Sequence, residues 1–246
     1  MTRPETTALF QRRLDGLAVP CDPRTARRLA TYHELLEEWN ARVNLTADAA
    51  LDAALDRHYM DSLAPLALPE LMPAGAKVID VGSGAGFPGL PLAIARPDLD
   101  VLLLDSLAKR VRFLDAVIAA LALPNVRTLH ARAEDAARDP AYRERFDVAA
   151  ARAVAAAPVL MELLLPFARV GGKAVCYKGP AAAEELRAGS RAASLLGGGA
   201  LRALPVTVPE QPEWRHCVLV CQKRRQTARQ YPRRAGEPAR APLGAE

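Results

Sequence analysis

The sequence has no Cys-x-x-Cys pair and no His/Cys cluster at metal-ligand spacing, although it carries four cysteines, Cys21, Cys176, Cys217 and Cys221. A zinc site or redox dithiol is therefore not expected, and Cys217 and Cys221, on one side of a predicted strand, read as buried core thiols. No apolar run approaches the ~20 residues that span a bilayer, and the N-terminal MTRPETTALF lacks the hydrophobic stretch of a signal peptide. A cytoplasmic protein, without metal and without membrane association, is the expectation. No internal repeat is visible. Net charge is also missing from most of the chain: residues 1–222 hold 26 bases and 26 acids, so the formal +5 sits entirely in 223–246, where seven Lys/Arg face only Glu237 and Glu246. That Pro-rich tail, with Tyr231 as its single aromatic, suits a polyanion such as nucleic acid, or is a disordered solubilising tail.

What is present centres on Lys77 to Gly89, KVIDVGSGAGFPG. Val78, Ile79 and Val81 have the β-branched character of a buried strand, and Gly82, Gly84, Gly86 and Gly89 follow where a strand turns sharply into a helix. Glycine lets backbone approach a ligand closely and adopt φ > 0. A helix beginning near Phe87 accepts Pro88 in its first turn. Gly84 to Gly89 matches the dinucleotide fingerprint G-x-G-x-x-G, with Asp105 about ~20 residues on as a ribose-binding acid. Read one step upstream, Asp80-Val-Gly82-Ser-Gly84-Ala-Gly86 is the D-x-G-x-G-x-G pattern that resembles class I methyltransferases, in which S-adenosylmethionine occupies the loop. Asp80 discriminates, because a carboxylate there suits the methionine ammonium group that a nicotinamide dinucleotide lacks.

Around this stretch the 246 residues, half hydrophobic and a quarter charged, suit one domain with appendages. Three helices precede it. Phe10, Leu14 and Leu17 mark the first, ended by Val19-Pro20. The second starts with Asp22 as N-cap and Pro23 at its first position, carries Leu29, Tyr32, Leu36, Trp39 and Val43 on one stripe, and closes at Asn44-Leu45-Thr46. The third presents Leu51, Leu55, Tyr59, Ser62 and Leu66 on one face. Arg57, His58 and Asp61 fall within one turn of it, which on spacing alone reads as an Arg57–Asp61 ion pair beside a surface histidine. Strands at 77–81, 101–105, 126–129, 146–151 and 173–178 then alternate with helices, implying a parallel sheet covered on both faces. A helix over 181–196, a glycine turn and strands near 201–208 and 216–222 follow, the first demoted to an edge by Pro205 and Pro209.

Ligands of such sheets bind at the carboxyl ends of the strands. That rule selects Gly82 to Phe87, Asp105-Ser106, Arg132 to Asp135, Arg152 and Lys178. Arg152 stands out because it interrupts an apolar run beside a strand end, and a charge there needs a partner or a ligand. Methyl transfer from a sulfonium depends chiefly on proximity and orientation. The machinery for other targets is missing: no cysteine nucleophile lies near Arg152, no Asn/Asp-Pro-Pro-aromatic motif follows the fourth strand, and no His or Tyr/Lys relay serves hydride transfer. Guanine N7, whose lone pair is free at neutral pH, needs none of it.

VIDVGSGAGFPGLPLAI, LLDSLAKRVRFL, RAE, ARAVA and KG, preceded by NLTA and RHYMDSL, closely resemble the bacterial small-subunit ribosomal RNA guanine-N7 methyltransferases, the RsmG or GidB family, over roughly residues 25 to 225. The resemblance implies a Rossmann-like class I α/β fold with a mostly parallel seven-stranded sheet. An N-terminal helical cap (1–72), a methyltransferase domain (73–222) and the basic tail (223–246) are expected, together with methylation of 16S ribosomal RNA, free or in an assembling small subunit. It assigns the cofactor to Asp80, Gly82, Gly84, Phe87, Asp105, Ser106, Leu107, Ala133, Glu134 and Arg152. It links Arg132 and Lys178 with RNA or the target base and places Asn44, Arg57, His58 and Asp61 in a helical motif facing the same cleft; these six, with Arg233 and Arg234 of the basic tail, are the expected substrate-binding residues, and Arg152 and Lys178 the expected catalytic ones. Ala85 stands where some relatives have proline, and Tyr59-Met60 replaces a commoner aliphatic pair. A donor on N7 would occupy the attacking lone pair, so Arg152, Arg132 and Lys178 are expected on phosphate, O6 or cofactor. A monomer is expected. The alternatives are an NAD(P)-dependent oxidoreductase and a catalytically silent nucleic-acid-binding module.

Overall fold

The computed structural model describes residues 3–17, 19, 22 and 24–244. Pro20, Cys21 and Pro23, and the readings placed on them, lie outside the described residues.

Each predicted strand forms where its apolar run lies. The seven are β1 (Lys77–Val81), β2 (Asp100–Asp105), β3 (Val126–His130), β4 (Phe146–Arg152), β5 (Ala168–Lys178), β6 (Arg202–Pro205) and β7 (Cys217–Gln222). They make one sheet in the order β3-β2-β1-β4-β5-β7-β6, with β7 antiparallel to both neighbours and the other pairs parallel. Pro205 sits in the edge strand, where its missing N–H breaks no interior ladder. β5 begins earlier than its apolar run, because Gly171 (φ +85°) and Gly172 carry the chain through a register shift against β4.

Alternation sends successive side chains to opposite cores. Val78, Val101, Leu103, Val148, Val175, Val218 and Val220 face one apolar cluster; Ile79, Leu102, Leu104, Ala149, Cys176, Leu219 and Cys221 face the other. α5 (Gly89–Ala95) and α6 (Ala108–Leu121) cover the first face, while the short α7 (Ala133–Ala136), α8 (Ala157–Leu164) and α9 (Ala182–Leu195) cover the second. Cys176 and Cys221 are buried and Cys217 half-buried, all free thiols. Burial pushes all three upward, Cys221 to about 11.

The N-terminal helices add to the first core rather than building their own. Phe10 of α1 (Pro4–Leu17) and Tyr32 of α2 (Thr25–Val43) are fully buried in the cluster that holds Val78 and Leu103. α2 starts later than the Asp22 reading placed it. Arg24 is its N-cap residue, and Asp22 instead accepts Arg24 N–H with its side chain (2.7 Å) and Thr25 N–H with its carbonyl.

The third helix is not regular. An α-helical turn, α3 (Leu51–Ala54), widens into a π-helical stretch (Leu55–Met60), returns as α4 (Asp61–Leu63) and tightens into a 3-10 turn (Ala64–Ala67). The Arg57–Asp61 ion pair read from spacing does not form. Arg57 lies 3.6 Å from Asp48, and Asp61 turns to partners on the sheet.

The tail is folded against the domain through residue 244. Lys223 is buried, donating to Leu165 O (2.6 Å) and lying 3.3 Å from Glu144. Arg143 donates to the carbonyls of Thr227 and Tyr231, and Arg138 to that of Pro232. Arg233 makes a forked pair with the fully buried Glu162 of α8.

Candidate active site

The glycine loop begins where β1 ends and is pinned on three sides. Gly82 and Ser83 N–H groups both donate to Leu104 O on β2, Gly84 N–H donates to Asp105 Oδ2 (2.9 Å), and the Tyr32 hydroxyl from the cap donates to Ala85 O. Gly82 has φ +75°, and a Cβ there would come within 2.9 Å of Val154. Gly89 is needed for a different reason: a Cβ would run into Leu103 and Asp80, where α5 packs onto β1 and β2.

Asp80 lies beneath this loop and does not line the cleft above it. One oxygen accepts Gly89 N–H (3.0 Å), and the other, buried, has no hydrogen-bond partner among the described residues. Burial raises its pKa to about 7, against the opposing hydrogen bond from Gly89. The structure thus gives Asp80 the start of α5 to hold.

Above the loop a cleft of about 420 Å³ is lined by Gly82, Gly84, Phe87, Asp105, Ser106 and Arg152 from the expected residues, with Thr46, His58 and Arg110 beside them. Through Gly82, Asp105, Ser106 and Val154 it opens into a recess of about 170 Å³ bounded by Arg132, Ala133, Glu134 and Leu163. Through His58, Arg152 and Ala153 it opens on its other side into a bay of about 370 Å³ with Arg57, Asp61, Tyr177, Lys178 and His216. Three connected spaces thus run along the carboxyl edge of the sheet, where the strand order reverses between β1 and β4.

Arg152 occupies the junction. Its guanidinium donates to Arg57 O (2.8 Å), Asp61 Oδ2 (3.2 Å) and His58 Nδ1 (3.1 Å), and lies 5.1 Å above the Phe87 ring. An arginine always donates, so His58 Nδ1 accepts and its Nε2–H is left for Thr46 Oγ1 at 3.2 Å. Burial and the adjacent Arg152 lower His58 to about 4, so the ring is neutral at physiological pH. Lys178 donates to Ala155 O and Glu185.

Not every expected residue reaches these spaces. Leu107 is exposed and contributes its backbone N–H to Asp105 Oδ1. Asn44 is the left-handed C-cap of α2, exposed, while its neighbours Leu45 and Thr46 line the cleft. Arg233 is committed to Glu162, and Arg234 is exposed on the tail. Conversely, sequence reading passed over His216, whose Nδ1 lies 2.8 Å from Asp61 Oδ1 and whose ring stacks on Trp214. A signal existed: β7 runs antiparallel, so residues before it, not after it, stand at the cleft.

Residues 25–211 match the family described as GidB, rRNA small subunit methyltransferase G. The chain belongs to this family. It is 44% identical over 236 residues to the ribosomal RNA small subunit methyltransferase G of Lactobacillus delbrueckii subsp. bulgaricus (strain ATCC BAA-365), covering 96% of this chain and 98% of that one. It is 42% identical to the protein of the same name from Alkaliphilus oremlandii, covering 93% and 95%. Among solved structures, the apo S-adenosylmethionine-dependent methyltransferase SibL shares the fold, with a TM-score of 0.52 at 20% identity, over 68% of this chain and 55% of that chain.

The cleft fits the methyl donor such a family requires. Asp105, 2% exposed, is held beside Ser106 by the Gly84 and Leu107 N–H groups, a carboxylate whose chemistry suits a ribose diol. Arg110, next to it, has a buried Nε without a partner among the described residues, placed for a ligand oxygen. The recess walled by Ala131, Ala133 and Leu163, with Glu134 at its side, offers an apolar slot with one polar edge for adenine.

Proposed function

We propose that the protein transfers a methyl group from S-adenosylmethionine to N7 of a guanine in 16S ribosomal RNA, on free RNA or on an assembling small subunit. The observation that carries this reading is a donor cleft, the space shared by Gly82, Asp105 and Arg152, without a spare base or nucleophile. His58 is neutral and committed at both nitrogens, and among the described residues no cysteine lines any of the three spaces. The cofactor supplies an electrophilic methyl on sulfonium. A guanine N7 lone pair could take that methyl without a proton having to move, so the site would need no general base.

The chain's own residues then bind and aim. Asp105, Ser106, Ala133 and Glu134 hold the nucleoside portion of the donor; Gly82 and Gly84 bring backbone against its remainder; Phe87 and Arg152 close the junction. Arg57, Lys178 and the exposed Arg132 receive phosphate or O6, because a donor on N7 would occupy the attacking lone pair. Holding the two reactants in line is the principal source of rate for such a displacement. Family membership removes the oxidoreductase alternative. The protein is read as a cytoplasmic monomer: its exposed large apolar side chains, Leu107, Val154, Val170 and Leu195, are single residues on separate segments, and no described helix is long and apolar enough to cross a membrane. Among the described residues no group of three metal-ligating side chains is assembled.

The test is incubation with tritiated S-adenosylmethionine and small subunits from cells lacking the corresponding enzyme, followed by nuclease digestion and nucleoside chromatography. Label in 7-methylguanosine is expected. Cofactor binding with no label on subunits, free RNA or DNA would instead make the protein a silent binding module.

A further inference from the structure

The bay beyond Arg152 has one feature that the family motifs do not account for. Register places it: Arg152 pairs with Tyr177 across β4 and β5, and Lys178 pairs with Cys217 across β5 and β7, so residue 216 enters the sheet beside the end of β5. His216 therefore stands next to Lys178 and past Arg152 as seen from the donor cleft. Its Nδ1 is fixed on Asp61 Oδ1 at 2.8 Å, and its ring is stacked on Trp214 with centroids 4.8 Å apart and planes 27° apart. Among the described residues Nε2 has no hydrogen-bond partner, and the side chain, 25% exposed, lines the bay.

An imidazole that donates Nδ1–H to a carboxylate presents its Nε2 lone pair outward. Asp61 is itself held by Arg152 at 3.2 Å, so the histidine is aimed from a rigid pair and braced by an aromatic face. The bay thus offers one cation, Arg152, that it shares with the donor cleft, and beyond it Lys178 and a single oriented acceptor, His216. Guanine shows the complementary pattern: with N7 at the methyl, O6 comes next and the N1–H donor follows. Adenine has a donor where guanine has O6 and an acceptor where guanine has N1–H, so it mismatches at both places.

We propose that His216 is a specificity-determining residue that accepts the N1–H of the acceptor guanine, with Asp61 as the positioning residue that orients it. The inference rests on the guanine-N7 reading above. His216 selects the base; the reaction itself needs no proton from it.

Two experiments test this. In the first, kcat/KM on unmodified small subunits and the cofactor Kd are measured for His216→Phe, which keeps a ring for Trp214 but has no acceptor, and for His216→Gln, which restores one. His216→Phe is expected to lose about 10- to 100-fold in kcat/KM, the range of a lost hydrogen bond to a buried donor. Its cofactor Kd should be unchanged, and His216→Gln should recover most of the loss. Wild-type kcat/KM in His216→Phe, or a loss as deep in His216→Gln, would overturn the proposal. The second needs no variant: wild-type protein acts on subunits carrying inosine or 1-methylinosine at the mapped position, two bases that differ only at N1. Inosine is expected to be methylated and 1-methylinosine to react at least ~100-fold more slowly. Equal rates would overturn the proposal. Absence of 7-methylguanosine from wild-type reactions on natural subunits is a separate outcome, which removes the guanine-N7 reading and the proposal with it.

Discussion

Two buried titratable residues, His58 in the cleft and Asp80 beneath its glycine loop, have shifted protonation equilibria that act on stability in opposite directions. His58 falls from its ordinary value to about 4 in the folded protein, so the unfolded chain binds the extra proton and stability is lost as pH drops from about 6.5 toward 4. Asp80 rises to about 7, so the folded protein holds the extra proton and stability declines as pH climbs from about 4 to about 7. Each slope is at most ~1.4 kcal/mol per pH unit, and over the shared window they largely cancel. Chemical denaturation from pH 4 to 8 should therefore show a shallow profile in the wild type. His58→Gln should tilt it so that stability falls steadily with pH, and Asp80→Asn should tilt it the other way. At the loop, Gly82→Ala forces a left-handed φ of +75° on alanine and pushes Val154 toward the cleft. Titration calorimetry should show S-adenosylmethionine affinity lowered about 5- to 30-fold, the cost of roughly 1–2 kcal/mol of strain expressed in the bound state.

Secondary-structure elements differ in how well the sequence announced them, and the reason is the distance over which each is determined. β1, β2 and β4 are legible because an apolar run and its flanking glycine or acid are local signals. The π-helical stretch carrying Arg57 and His58 was not, since Leu51, Leu55 and Tyr59 keep a spacing that an ordinary helix also satisfies. Its cause is tertiary: Arg57 O and Asp61 both meet Arg152, more than ninety positions away. The tail reads as solvated because its composition is Arg and Pro. Its partners Arg143, Glu144 and Glu162 lie 71–88 residues upstream in the chain. Arg233→Ala leaves the fully buried Glu162 carboxylate without its cation and should cost about 3 kcal/mol by urea denaturation, discounted toward the lower end because Arg233 is partly exposed. Arg234→Ala, on an exposed side chain, should stay within about 0.5 kcal/mol of the wild type.

Across the whole molecule the helical cap and the sheet share one interior, so the boundary read near residue 72 does not separate two cores. Phe10, fully buried and edge-on to Tyr59 at 4.9 Å, belongs to the same cluster as Val101 and Phe113. Phe10→Ala should destabilise the entire protein by about 3–5 kcal/mol, with far-ultraviolet and near-ultraviolet signals melting together and not as a separate cap transition. The same continuity reaches the cleft through Asp61. This cap carboxylate grips Arg152 at the end of β4 with one oxygen and His216 at the start of β7 with the other. A ligand that draws the arginine changes how firmly the histidine is held, and a ligand on the histidine acts back on the arginine. Any coupling that runs through Asp61 is reciprocal: the methyl donor and the acceptor base then alter each other's affinity by one and the same factor. Asp61→Asn, which weakens both grips, should bring that factor toward one.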